Sequence, residues 1–340
     1  MIMPNTEITK TIQSNLSDTV PFSAQLNGVC TLPQWGLLLV SGEDAIPFLH
    51  GQLTNDIKLL QENSACLAGY CTPKGRLLTS MLAWKSAQQI YLQLPVALLP
   101  GFQKRLQMFI MRSKVTLQEQ TGICSAIGII GKTASAQLTD WFPVLPEAPY
   151  TSVSTAAGTL LRLADALTMP RYQWIAGTEQ ASLHWPVVFS RLNTLPSAAW
   201  DWTEIQAGIP HISIATQEKF VPQMINYELI GAVNFKKGCY PGQEIVARTH
   251  YLGKQKRRMA LGQIAGSGAQ SGMEVFAAGE PEQACGMIVN AQSNGAHASD
   301  CLIEIKTMYL AGPHTIQLAS GEAVRWLPMP YPLPVPAESD

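Results

Sequence analysis

Charge is scarce in this sequence. Lys, Arg, Asp and Glu make up 14% of its 340 residues, and 23 basic and 24 acidic side chains nearly cancel to a formal net charge of −1. No global field therefore draws the chain onto nucleic acid or anionic lipid, and any such attraction has to come from a local patch. No apolar run approaches the roughly 20 residues that span a bilayer. The opening Met1-Ile2-Met3-Pro4-Asn5-Thr6-Glu7 lacks both the basic and the apolar region of a secretory signal. A cytoplasmic protein without membrane attachment is the expectation. Cysteines are few and odd in number, seven at positions 30, 66, 71, 124, 239, 285 and 301, and read as reduced thiols rather than a disulfide framework. Cys66 and Cys71 have no second pair at ligand spacing, and histidines 50, 211, 250 and 297 show no metal pattern, so no metal site is expected. The phosphate-cradling patterns Gly-x-x-x-x-Gly-Lys and strand-linked Gly-x-Gly-x-x-Gly are missing, which removes support for nucleotide binding.

What is present is largely apolar. Hydrophobic side chains make up 46% of the chain, and its length exceeds what one core fills, so two or three domains are expected. Residues 1–20 are polar and read as a flexible N-terminus. Residues 21–120 begin with the strand Leu37-Leu38-Leu39-Val40. A helix capped by Ser41 or Asp44 follows through Ile46, Phe48, Leu49 and Leu53. Strands are predicted over 65–72, 76–84 and 89–94, then a helix over 96–111 and a strand at 114–117. That order, β-α-β-β-β-α-β, is a ferredoxin-like plan with an added strand. A looser second copy fills 121–258, with strands at 124–130, 158–164 and 171–176 and helices at 132–141 and near 180–191 and 200–208. From 259 to 327, short apolar segments broken by Gly, Ser and Asn predict a small antiparallel barrel, and 328–340 is a proline-rich, acidic tail. The fold class is α+β.

The most informative stretch is Asn234-Phe235-Lys236-Lys237-Gly238-Cys239-Tyr240-Pro241-Gly242-Gln243-Glu244-Ile245-Val246-Ala247-Arg248. Lys237 to Tyr240 form a tight loop in which Gly238 permits close backbone approach. Pro241 suits the first turn of a helix, and Glu244 complements that helix's dipole. A thiol, a lysine and an aromatic ring thus gather beside a helix N-terminus, where a thiolate is favoured. Taken alone, an ordinary glycine turn before a capped helix explains the stretch equally well.

Lys-Gly-Cys-Tyr-x-Gly-Gln-Glu, complete here as Lys237 to Glu244, resembles the signature of the YgfZ family. The flanks match too: Gln206-Ala207-Gly208-Ile209-Pro210, Phe220-Val221-Pro222-Gln223 and Val246-Ala247-Arg248. So do His50-Gly51-Gln52-Leu53-Thr54-Asn55-Asp56 and Pro73-Lys74-Gly75-Arg76 near the N-terminus. The resemblance implies an aminomethyltransferase (T-protein)-like ring of two ferredoxin-like domains plus the barrel, with tetrahydrofolate in a central channel between the first two. It also implies a role in maintaining iron–sulfur proteins, including tRNA-modifying enzymes, with only an indirect link to tRNA, and nothing requires more than a monomer. On this likeness Lys237 and Cys239, with Tyr240, form the functional loop, while Gln206, Tyr240, Glu244, Arg248 and Lys237 are the candidate folate-binding residues.

Two positions depart from the enzyme pattern. Where the T-protein carries a catalytic aspartate after its glycine turn, this chain reads Leu78-Thr79-Ser80, and the nearest upstream acid, Glu62, lies across a strand. General acid–base help is therefore missing there, and glycine cleavage is disfavoured. Where the family places a glutamate to receive the pterin amino edge, this chain has Gln206, which accepts at one oxygen only. Glu204 is expected on another helix face and makes a poor substitute. Trp35, Trp84, Trp174 and Trp202 are weighed as stacking partners or, for most of them, core. The run Arg248, His250, Lys254, Lys256, Arg257, Arg258 reads as a solvated basic surface, a dock for the folate glutamate tail, or an RNA contact. For Cys239, transient cluster ligation, redox chemistry, reaction with a sulfur species and plain burial stay open. The leading reading is an accessory protein; the rival is a folate-dependent one-carbon transferase with Cys239 as nucleophile and Lys237 lowering its pKa.

Overall fold

A computed structural model describes residues 22–251, 255–294 and 297–334, which form three antiparallel sheets. The first is built from β2 (Trp35–Ser41), β3 (Ala65–Cys71), β4 (Leu77–Ser86), β5 (Gln89–Pro95) and β6 (Thr116–Glu119), in the order β3-β4-β5-β2-β6. Helices α1 (Ala45–His50) and α2 (Leu99–Ile110) complete the β-α-β-β-β-α-β plan read from the sequence. The run Leu37–Val40 is buried throughout because β2 is an inner strand with its apolar residues covered on both faces. Helix α2 buries Leu99, Phe102 and Leu106 against it, side chains each worth roughly 1.5–3 kcal/mol of burial.

The second sheet takes β1 (Gly28–Thr31) from far upstream and adds β7 (Cys124–Ile130), β8 (Thr151–Thr155), β9 (Gly158–Ala166) and β10 (Met169–Gly177), in the order β1-β7-β10-β9-β8. Strands β1 and β8 were not read from the sequence; both are short edge strands that depend on pairing with longer neighbours. Helix α3 (Lys132–Ala136), α4 (Thr178–Arg191) and α5 (Ser197–Gln206) follow the expected positions. The two sheets meet edge to edge, where Ala65 N–H donates to Tyr150 O (2.8 Å) and Ser152 N–H to Asn63 O (2.9 Å).

After α6 (Gln243–Tyr251), the third sheet runs β15-β12-β13-β14-β11-β16, from β11 (Arg257–Ala265), β12 (Glu274–Ala277), β13 (Ala284–Ser293), β14 (Ala298–Lys306), β15 (Ile316–Leu318) and β16 (Val324–Leu327). It curls until its edges touch at a bridge between Gln317 and Ala323, the barrel-like unit predicted. The start of the tail folds back, and the Tyr331 hydroxyl donates to Gly208 O at 2.9 Å. Residues 1–20, Lys254 and the last six residues of the tail lie outside the described residues. Among the described residues, no helix is long and apolar enough to cross a membrane and no group of side chains could hold a metal.

Candidate functional site

Three stretches that are far apart in the chain converge on the Lys237–Tyr240 loop. Lys237 is buried, and its Nζ donates to His50 O at 2.5 Å, at the end of α1, and to Leu53 O at 2.9 Å in the turn that follows. Its ammonium also lies 4.6 Å from the centre of the Tyr240 ring. Burial lowers the Lys237 pKa to about 8, against the opposing pull of Asp56 and Cys239. The two carbonyls and the ring face hold the cation that burial disfavours. Gly238 lies against the His50 imidazole: a Cβ there would stand 3.2 Å from Nε2. His50 Nδ1 stands 3.0 Å from Asp56 Oδ1 but is not aligned to bond it.

The rest of the 50–56 stretch anchors the segment that leads into the loop. Thr54 Oγ1 donates to Ala232 O (2.7 Å) and accepts from Gly69 N–H, while the Asn55 amide donates to Leu67 O and to Gly231 O. The turn Thr72–Gly75 braces the other side. Gly75 N–H closes on Thr72 O (2.9 Å), and Gly242, at φ +83°, fits where a Cβ would come within 2.4 Å of Thr72 O. Gln223 Nε2 donates to Val246 O (2.6 Å) and ties α6 down. On this scaffold Cys239 is exposed, the one fully exposed thiol of the seven, which removes plain burial from its readings. Tyr240 is buried under the loop and its hydroxyl pKa is raised by that burial. Glu244 and Arg248 face solvent on α6.

A second site lies where the three sheets meet. Three cavities, of about 270, 30 and 190 Å³, all have Trp35 in their walls. In the middle one Arg171 Nη1 pairs with Glu204 Oε1 at 2.9 Å, and Glu204 Oε2 stands 3.3 Å from His211 Nε2. Burial pushes the Glu204 carboxyl up, but Arg171 and then His211 outweigh it and hold the group at about 2. Asp201, on the next turn of α5, goes the other way: burial lifts it to about 6 against the Gln34 hydrogen bond and His211.

Glu204 and Gln206 lie on different faces of α5, as expected, but Glu204 is the one that lines the cavities beside Trp35. The Gln206 amide donates to Asp300 Oδ2 at 2.8 Å, alongside Trp202 Nε1 at 2.8 Å, and joins α5 to β14. The reason is the helix's rotation: Trp200, Thr203 and Glu204 turn toward Arg171, which puts residues 202 and 206, one turn apart, on the barrel face. Of the four tryptophans weighed for stacking, Trp35 lines the cavities, whereas Trp84 and Trp174 are core. The basic run is not one surface: Arg257 pairs with the buried Glu304 and Arg258 with Glu228. Sequence reading missed Gln34, Arg171, Asp201 and His211. Arg171, the one charged residue in the buried part of β10, was the available signal.

Three antiparallel sheets, the last curled into a barrel-like unit, define a protein of the aminomethyltransferase fold class. The glycine cleavage system aminomethyltransferase T of Bartonella henselae superimposes with a TM-score of 0.76 over 95% of each chain, at 12% identity. No family model matches. The chain belongs to the family of the tRNA-modifying protein YgfZ. It is 32% identical to that protein of Photorhabdus laumondii over 245 residues, 72% of this chain and 71% of the relative, and 32% identical to that of Colwellia psychrerythraea over 252 residues, 71% and 75%.

Proposed function

We propose that this chain is a folate-binding accessory protein of the cytoplasm that supports iron–sulfur cluster assembly or repair and, through client enzymes, tRNA modification. The observation that carries the reading is the pairing of two separate features: an exposed thiol on a rigidly braced loop, and a group of cavities beside Trp35 whose walls hold unpartnered buried polar atoms. The relatives named above are tRNA-modifying proteins, which supports the second half.

The channel's chemistry fits a folate. Gln173 Nε2 and His211 Nδ1 are buried polar atoms without partners in its walls, and such atoms call for a polar ligand or water. Arg171, Glu204 and His211 would orient the heterocycle beside Trp35. When bound, a tetrahydrofolate supplies a one-carbon carrier. The loop works differently: Lys237 has two of its donors on backbone carbonyls, so it positions the loop, and Cys239 is left to meet a client or a sulfur-bearing intermediate. The rival reading, a one-carbon transferase with Cys239 as nucleophile, requires the thiol to reach the folate, yet Cys239 lines none of the three channel cavities.

Two measurements test this. Calorimetric titration of tetrahydrofolate into the purified protein should show binding near the micromolar range, about −8 kcal/mol. In cells lacking the native gene, Cys239→Ala should fail to restore the activity of iron–sulfur tRNA-modifying enzymes. Full restoration would remove the thiol from the mechanism, and turnover of a one-carbon tetrahydrofolate by the pure protein would favour the transferase.

A further inference from the structure

In the His50–Asp56 stretch, Thr54 and Asn55 spend their side chains on backbone anchors, and His50 and Asp56 do not. Asp56 Oδ1 accepts from Lys58 N–H at 2.9 Å, and the same oxygen stands 3.0 Å from His50 Nδ1. A carboxylate only accepts, so Nδ1 carries the proton and Nε2 keeps its lone pair. That second nitrogen lies on the side of the Lys237–Tyr240 loop. It takes no hydrogen bond among the described residues, and a Cβ at Gly238 would stand 3.2 Å from it. Cys239 follows at about 3.8 Å of Cα spacing, and its exposed thiol is free to turn toward the ring.

Two further features suit this imidazole to take up a proton. Lys237 Nζ donates to His50 O at 2.5 Å, so the backbone that carries the ring and the loop that carries the thiol are joined directly. Burial, and then the Lys237 cation, lowers the His50 pKa; Asp56 opposes this and Lys58 adds to it. The ring is therefore neutral at pH 7, the form that accepts, and the imidazolium made from it has Asp56 as its counter-charge. Nδ1 is within reach of Asp56 but off angle, and hydrogen bonds of this kind tighten when charge develops on the ring.

We propose that His50, braced by Asp56, is the base that takes the proton of the Cys239 thiol. The step is a proton transfer: the S–H bond breaks, an Nε2–H bond forms, and the electron pair stays on sulfur as the thiolate that meets a client. Gly238 keeps the approach open, because any side chain there would press against Nε2. The assignment rests on the reading of Cys239 given above and adds the group that activates it.

The test is alkylation of Cys239 by iodoacetamide across a pH series, followed by mass spectrometry of its peptide. In that reaction sulfur bonds to carbon, iodide leaves, and the thiol proton passes to His50 and then to solvent. Wild-type protein should show a step in rate on the acid side of 6.5, as His50 becomes neutral. His50→Gln should lose that step and react about tenfold or more slowly at neutral pH. Asp56→Asn should keep the step but move it to lower pH, because the imidazolium loses its counter-charge. Thermal melts confirm that the variants are folded, and the wild-type profile decides even if one of them is not. A single alkaline rise in the wild type, or an acid step that persists in His50→Gln, overturns the assignment. The cellular test of Cys239→Ala reads separately. If that variant fails in cells while the wild-type profile shows one rise only, the base is wrong and the role of Cys239 stands. If it restores activity in full, the role of Cys239 falls whatever the alkylation shows.

Discussion

Lys237 and Asp201 show how single side chains carry this molecule's chemistry. Replacing Lys237 with Met keeps the stem but leaves His50 O and Leu53 O buried without their donor. The expected loss is about 1–3 kcal/mol per orphaned carbonyl, read from denaturant unfolding, with a Cys239 loop that no longer holds one position. Asp201 makes a pH-dependent contribution. Its folded pKa of about 6 exceeds that of an unfolded aspartate, so the stability it provides is present in acid and is lost as pH rises through about 6. Asp201→Asn should therefore melt higher than wild type above pH 7, and that advantage should vanish near pH 4. Glu204 acts oppositely: held at about 2, it contributes stability at neutral pH that fades as pH falls from the ordinary glutamate range toward 2. Cys239 is the only exposed thiol of the seven. A thiol-reactive dye should label Cys239 fastest in the native protein, the half-buried Cys66 and Cys124 more slowly, and the four buried cysteines only on unfolding.

At the level of elements, the loop is held by fit between turns. Gly242 combines φ +83° with contacts at 2.4 to 2.7 Å from Thr72 and Gly75 backbone to any added Cβ. Gly242→Ala should destabilise the protein by roughly 2–4 kcal/mol, through left-handed strain plus displacement of the Pro73–Arg76 turn. Gly238 has no positive φ, and its added Cβ would meet only the His50 ring at 3.2 Å, so Gly238→Ala should cost less than half as much. Urea midpoints of the two variants separate these outcomes. The helices and long strands here were legible because their apolar residues recur at helical spacing, as in α2, or run unbroken, as in β2. Strands β1 and β8 carried no such signal: four or five residues gain strand geometry only from β7 and β9 beside them.

Across the whole molecule, Asp300 is the tie between α5 and the C-terminal sheet. It is buried and accepts from Trp202, Gln206 and Gln263 at 2.8 Å each. Gln206→Glu, which the family pattern would favour, places a second carboxylate against it. The expected result is a loss of about 3–5 kcal/mol at neutral pH, partly recovered in acid, with no gain in folate affinity. The family, the order of most elements and the loop centred on Cys239 were legible from the chain alone, because each is written in contiguous residues: a motif, a periodicity or a glycine turn. It took the folded arrangement to show that position 206 ties α5 to β14 and that positions 34, 201 and 211 line one cavity. Those roles depend on the rotation of α5 between two sheets and on partners 94 and 167 residues away, and no local pattern encodes which face of a helix meets which neighbour when both faces are buried.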